Sequence, residues 1–134
     1  MTGGCLCGAV RYRAAARPSR TVACHCKFCQ RATGSAFAVW PTFLEKQVEI
    51  TGKPTTFETR SDESGRWIRL HFCPRCGSTL YSTWQEGRGE VAFLGGTLDD
   101  TAAIGVDYHV WTRSKQHWFE LPPGAKAFEK SSRA

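Results

Sequence analysis

No stretch of this chain stays apolar for the roughly 20 residues that a bilayer-spanning helix needs, so neither a membrane span nor a membrane partner is expected. Internal repeats, low-complexity tracts and linker-like segments are missing as well. The 134 residues are therefore expected to form a single domain, 1–134, with residues 124–134 as a flexible tail. Blocks of like charge are absent, and the aromatics are not interleaved with basic residues as a single-strand groove would require, so no nucleic acid is expected. The opening residues Met1-Thr2-Gly3-Gly4-Cys5 have neither the basic start nor the apolar core of a secretory leader, and a reducing, cytoplasmic location is expected. An even number of cysteines is lacking too. Seven cysteines cannot all close into disulfides within one chain, which removes the small secreted disulfide scaffold.

What is present is a grouping of those seven thiols into three clusters: Cys5-Leu6-Cys7, Cys24-His25-Cys26-Lys27-Phe28-Cys29 and Cys73-Pro74-Arg75-Cys76. Seven divides as four plus three. Four thiolates fill the tetrahedral shell of a structural zinc, whereas three leave a position for water or substrate. The pairs Cys26-x-x-Cys29 and Cys73-x-x-Cys76 also fit a redox motif, but such a motif belongs between a buried strand and a long amphipathic helix, and no βαβ pattern surrounds either. Gly77, just after Cys76, suits a zinc knuckle, whose tight turn calls for positive φ after the second ligand.

Metal binding also changes the meaning of the charge. The formal +6 loses seven for the thiolates and regains four from two zinc ions, leaving +3. Lys27, Arg31 and Arg75 flank the clusters, where a positive side chain favours thiolate over thiol; as solvated turn residues they fit equally well.

Hydrophobic periodicity reads as mostly β. Segments 8–13, 66–72 and 106–111 alternate with period two, and strands are further expected at 21–23, 36–40, 48–51, 56–60, 79–84 and 91–94. Turn signals separate them at Thr51-Gly52-Lys53-Pro54, Ser61-Asp62-Glu63-Ser64-Gly65 and Glu86-Gly87-Arg88-Gly89. Only 27–33 and 99–103 read as helical, both short. Each cysteine cluster thus lies at a strand end, where a turn can present two sulfurs to one ion.

Gly4-Cys5-Leu6-Cys7-Gly8-Ala9-Val10, Cys24-His25-Cys26-x-x-Cys29-Gln30-Arg31 and Phe72-Cys73-Pro74-x-Cys76-Gly77 together resemble the glutathione-dependent formaldehyde-activating enzyme family. The resemblance extends through Gly96-Thr97-Leu98-Asp99 and His109, Lys115 and Trp118. It implies a mainly β, Mss4-like fold of several coiled antiparallel sheets with zinc knuckles. It also implies two zinc ions per chain: a structural one on Cys5, Cys7, Cys73 and Cys76, and a catalytic, more labile one on Cys24, Cys26 and Cys29. The reaction implied is that of a carbon–sulfur lyase joining a thiol to an aldehyde, glutathione and formaldehyde giving S-hydroxymethylglutathione in the family's named case. Three thiolates weaken Lewis acidity relative to three neutral imidazoles, which favours holding a thiol as its anion over activating water.

His25 is the nearest candidate for a fourth ligand, although flanking two ligands places it more naturally outside the coordination shell or on the surface. His71 is expected as a strand residue beside the structural knuckle, and His109 and His117 as surface or pocket residues. Arg31, Arg60, Arg66 and Lys115 are the lone cations available to a glutathione, while Phe37, Trp40, Trp111 and Trp118 are pocket candidates that also fit an ordinary core. Two other functions fit the same cysteines. One is a non-catalytic, zinc-stabilised protein-binding module with a closed second site; the other is a zinc-ribbon nucleic-acid binder.

Overall fold

The computed structural model describes residues 1–132. Ten strands run in chain order: β1 Thr2–Gly4, β2 Arg11–Ala14, β3 Arg20–Cys24, β4 Ala38–Leu44, β5 Val48–Thr51, β6 Thr55–Arg60, β7 Trp67–Phe72, β8 Thr79–Trp84, β9 Glu90–Phe93 and β10 Tyr108–Val110. One α-helix, α1 at Lys27–Thr33, joins β3 to β4. The strands form a three-stranded sheet ordered β1-β2-β5 and a seven-stranded sheet ordered β10-β3-β4-β9-β8-β7-β6. All neighbours are antiparallel except β10 and β3, which run parallel with Val110 opposite Cys24. The fold is the expected mainly β one. Among the described residues no helix is long and apolar enough to cross a membrane.

Period-two alternation explains β2, where Tyr12 and Ala14 point inward while Arg11 and Arg13 face out. In β7 every residue is half-buried, since neighbours cover both faces in part. The expected 99–103 helix shrinks to a single 3₁₀ turn, Thr101–Ala103, whose amide at Ala102 is capped by the Asp100 side chain. Asp99 stays outside it, because its carboxylate is drawn to the Arg11 guanidinium and to the Thr2 hydroxyl. Residues 126–130 lie along β10: the His109 amide donates to Lys126 O at 2.9 Å, Phe128 N–H to His109 O at 2.9 Å and Trp111 N–H to Lys130 O at 3.0 Å.

Two apolar clusters fill the interior. One gathers Val10, Tyr12, Phe43, Leu80 and Phe93 around Cys5 and Cys73. The other gathers Ala38, Trp40, Ala92 and Val110 around Cys24 and Cys29. Each sulfur group is therefore seated on its own core, and burial of several large side chains at about 1.5–3 kcal/mol each supports both.

Candidate metal centres

Cys5 and Cys7 sit on the turn after β1, and Cys73 and Cys76 on the turn between β7 and β8. The four Sγ atoms lie within 4.8 Å of one another. Two of their edges, 3.7 Å between Cys5 and Cys7 and 3.8 Å between Cys7 and Cys73, match the edge of about 3.8 Å that a tetrahedron with zinc–sulfur bonds near 2.3 Å requires. Both turns are knuckles. Gly8 and Gly77 follow the second sulfur of each with φ of 80° and 76°, left-handed values that a side chain would resist. Peptide N–H groups aim at the sulfurs as they would at thiolates: Val10 N–H donates to Cys5 Sγ at 3.2 Å and Arg75 N–H to Cys73 Sγ at 3.4 Å. Hydrogen bonds from Ser78 pull the Cys76 thiol down to about 5. The donor set and its spacing fit a four-coordinate zinc.

The second group is built from one short stretch. Cys24 ends β3, Cys26 caps α1 by accepting the Cys29 N–H at 3.3 Å, and Cys29 projects from the first helical turn. Their sulfurs also converge within 4.8 Å, and among the described residues no His, Asp or Glu joins them. Trp40, from β4, donates its Nε1–H to Cys29 Sγ at 3.4 Å. Thiol hydrogen bonds, first from Cys24 and then from Cys29, pull Cys26 down to about 3. Cys24 is pushed up to about 12, chiefly by Cys26, and Cys29 is raised well above the ordinary thiol range, chiefly through Cys24. Three thiols this close favour ionisation of one at the expense of the others, and a dication among them would favour the thiolate form of all three.

His25, between two of these cysteines, turns to the opposite side. It is fully buried, its Nε2 meets His109 Nδ1 at 2.9 Å, and its ring packs against Phe37 and Phe119. Burial, with smaller contributions from His109 and Lys115, lowers it to about 4, so it is neutral at pH 7. His109 is not a surface or pocket residue: strand β10 buries it beside His25. His71 does lie in a strand, stacked on Tyr81 and bonded to Thr56 and Thr83, and His117 is exposed.

A cleft of about 600 Å³ opens at the triplet, with Cys24, Cys26 and Cys29 in its wall. Of the aromatic candidates, Trp40 and Trp111 line it. Phe37 belongs to the histidine cluster, and Trp118 is 63% exposed. Of the cations singled out from the sequence, Arg60 and Lys27 reach the cleft. Arg66 pairs with Glu86, and Lys115 bonds the Phe119 carbonyl. Sequence reasoning missed Arg20, Trp84 and Arg113 in the lining, and it missed the work of Gln30. That buried amide donates to His25 O at 2.8 Å and Ser114 O at 2.9 Å and accepts from Gln116 at 2.9 Å. It clamps the triplet's segment to the chain after β10. Nothing in a lone glutamine next to a cysteine announces such a role.

The family profile described as glutathione-dependent formaldehyde-activating enzyme matches residues 1–114. An uncharacterised lyase of Schizosaccharomyces pombe is 28% identical over 89 residues, covering 64% of this chain and 59% of the yeast protein. The alignment therefore spans less than two thirds of that relative's length. A crystal structure of a Rhodobacter sphaeroides protein shares 18% identity with a TM-score of 0.58, covering 96% of this chain and 99% of that one. At that identity the likeness concerns the fold.

Proposed function

Since the chain belongs to the glutathione-dependent formaldehyde-activating enzyme family, whose fold is Mss4-like, we propose that it is a zinc-dependent carbon–sulfur lyase acting on a thiol–aldehyde adduct. In the forward direction a bond forms between the thiol sulfur and the carbonyl carbon, and the proton lost from sulfur ends on the carbonyl oxygen. The reverse direction breaks that bond and releases thiol and aldehyde. Glutathione and formaldehyde are the pair in the family's name.

In this reading Cys5, Cys7, Cys73 and Cys76 hold a structural zinc, and Cys24, Cys26 and Cys29 hold the catalytic one. When bound at the triplet, zinc supplies a cationic position at which an added thiol is kept as its anion at neutral pH. The chain does the positioning. The cap bond from Cys29 N–H fixes the Cys26 sulfur, the Trp40 indole N–H draws charge from Cys29, and the Gln30 clamp keeps the triplet segment still. The cleft walls then hold the two reactants against the sulfurs, which converts an encounter in solution into an oriented one. Seven thiols required in reduced form fit the cytoplasm, the location we propose.

The observation that carries the reading is a set of three convergent sulfurs, without a fourth donor among the described residues, opening on a cleft. The test follows thiohemiacetal exchange by NMR with catalytic amounts of protein. Approach to equilibrium should accelerate while the equilibrium position stays put, and Cys29→Ala should abolish the acceleration with the circular dichroism spectrum preserved. Protein loaded with two metals per chain that leaves exchange unchanged for every thiol and aldehyde tried would end the lyase assignment.

A further inference from the structure

Where a peptide thiol would need free charge, the cleft offers rings. Trp40 from β4, Trp84 from β8 and Trp111 after β10 all line it, together with Val22 and Ile68. Trp111 has φ of 57°, a left-handed value that a bulky side chain adopts only when its surroundings over-determine it. Its amide bonds Lys130 O, its carbonyl accepts from Ser114 N–H, and the Arg113 guanidinium lies 5.1 Å from its ring. That backbone strain sits at a residue of the cleft wall.

Of the four cations at the cleft, two are in ion pairs and two are bonded to neutral oxygens. Arg20 makes a two-pronged bond to Glu90 at 2.7 and 2.8 Å, with side chains only 26% and 19% exposed. Arg113 Nη2 lies 2.6 Å from Glu63, Arg60 donates to Gly65 O at 2.8 Å, and Lys27 reaches Gln30 Oε1 at 3.4 Å. Asp62 also lines the cleft, and its carboxylate repels an incoming one. Glutathione has two carboxylates to place; Arg20 and Arg113 could take them only by leaving their ion pairs, one largely shielded from water, and Arg60 and Lys27 only by exchanging the neutral oxygens they already hold. An apolar ring needs no such exchange and removes tryptophan surface from water.

Trp40 touches Cys29 through its N–H, which sets the ring-lined wall of the cleft beside the triplet. We infer, on the premise that the lyase reading holds, that the cleft selects an adduct whose thiol bears a flat apolar group, an aryl or aralkyl thiol, over glutathione.

The experiment titrates cobalt-substituted protein with benzyl mercaptan, 2-mercaptoethanol and glutathione, reading sulfur-to-cobalt charge transfer. A parallel titration with benzyl alcohol, which has the ring and no sulfur, reads tryptophan fluorescence. Benzyl mercaptan should bind at least about tenfold tighter than 2-mercaptoethanol, the gain from burying one ring in a partly open cleft. Glutathione should bind no tighter than 2-mercaptoethanol, and benzyl alcohol should quench fluorescence. Trp84→Ala should shrink the preference for the ring. Glu63→Gln, at an exposed position, should release Arg113 and raise glutathione affinity. If thiols ligate but glutathione matches or beats benzyl mercaptan, the selectivity is overturned and the lyase reading survives. If no thiol changes the cobalt spectrum, the lyase reading itself falls and the inference falls with it.

Discussion

Trp40→Phe isolates one contact at the triplet. Phenylalanine keeps an aromatic ring against Ala38, Ala92 and Val110 but removes the N–H that donates to Cys29 Sγ at 3.4 Å. Trp40 is only 9% exposed, so water is poorly placed to replace the lost donor. A hydrogen bond to a charged partner is worth about 1.5–3 kcal/mol. The long reach to sulfur favours the lower end, which corresponds to about 10- to 30-fold in affinity. Removing a partner just outside a metal's ligands typically costs about 10- to 100-fold, in agreement. The expected result is therefore zinc affinity at the triplet weakened about 10- to 30-fold, with the four-cysteine site unchanged because no part of Trp40 touches it. Competition with a chromophoric chelator at fixed pH measures both sites in one titration. Circular dichroism should show an intact fold with melting lowered by about 5 °C, the loss of a bond and a little ring volume from a small domain. Unchanged affinity at the triplet, or equal weakening at both sites, would refute the argument that this N–H stabilises a metal-bound thiolate.

The two sulfur groups should also differ in what their loss does to the fold. Cys7 and Cys73 are 66 residues apart, and by the chain-entropy estimate a cross-link over that span contributes about 4 kcal/mol, against about 2 for the short Cys24 to Cys29 stretch. Cys73→Ala should thus melt lower than Cys26→Ala, and mild chelation of the parent protein should remove one metal of two; the opposite melting order, or loss of both ions together, would reverse the assigned roles. Asp99 supplies a pH test. Arg11, helped by Thr2, lowers its carboxyl from 3.8 to about 2, so its stabilisation is present above about pH 4 and is lost as pH falls toward 2. The melting difference between the parent protein and Asp99→Asn should shrink across that window; a difference independent of pH would show that the pairing does not act through the carboxylate charge.

Much of the local structure was legible because it depends on neighbours in sequence. The strands 48–51 and 79–84 and the helix 27–33 appear with the expected bounds, since turn residues and period-two alternation act over a few positions. Cysteine spacing marked the three sulfur turns for the same reason, and Gly77 takes the positive φ its position demanded. The short strand Thr2–Gly4 was missed. Two glycines carry no β signal, and this strand exists because β2 lies beside it.

The site was legible only in its sulfurs. That Cys5 and Cys7 meet Cys73 and Cys76 depends on β1–β2 and β7–β8 bringing distant turns together. That His25 turns away from its flanking cysteines depends on a buried partner, His109, supplied by a strand 84 residues further on. Trp84, Arg20 and Arg113 enter one cleft from three separate parts of the chain, and Glu90 and Glu63 occupy two of its arginines across separations of 70 and 50 residues. The sequence by itself determined the cysteine clusters and most strands, because spacing within a turn and alternation along a strand are local properties. Tertiary structure alone decided how the distant sulfurs converge, which cations are already engaged and what lines the cleft. Those depend on which segments become neighbours, and backbone hydrogen bonding and apolar burial across the whole chain settle that only when it has folded.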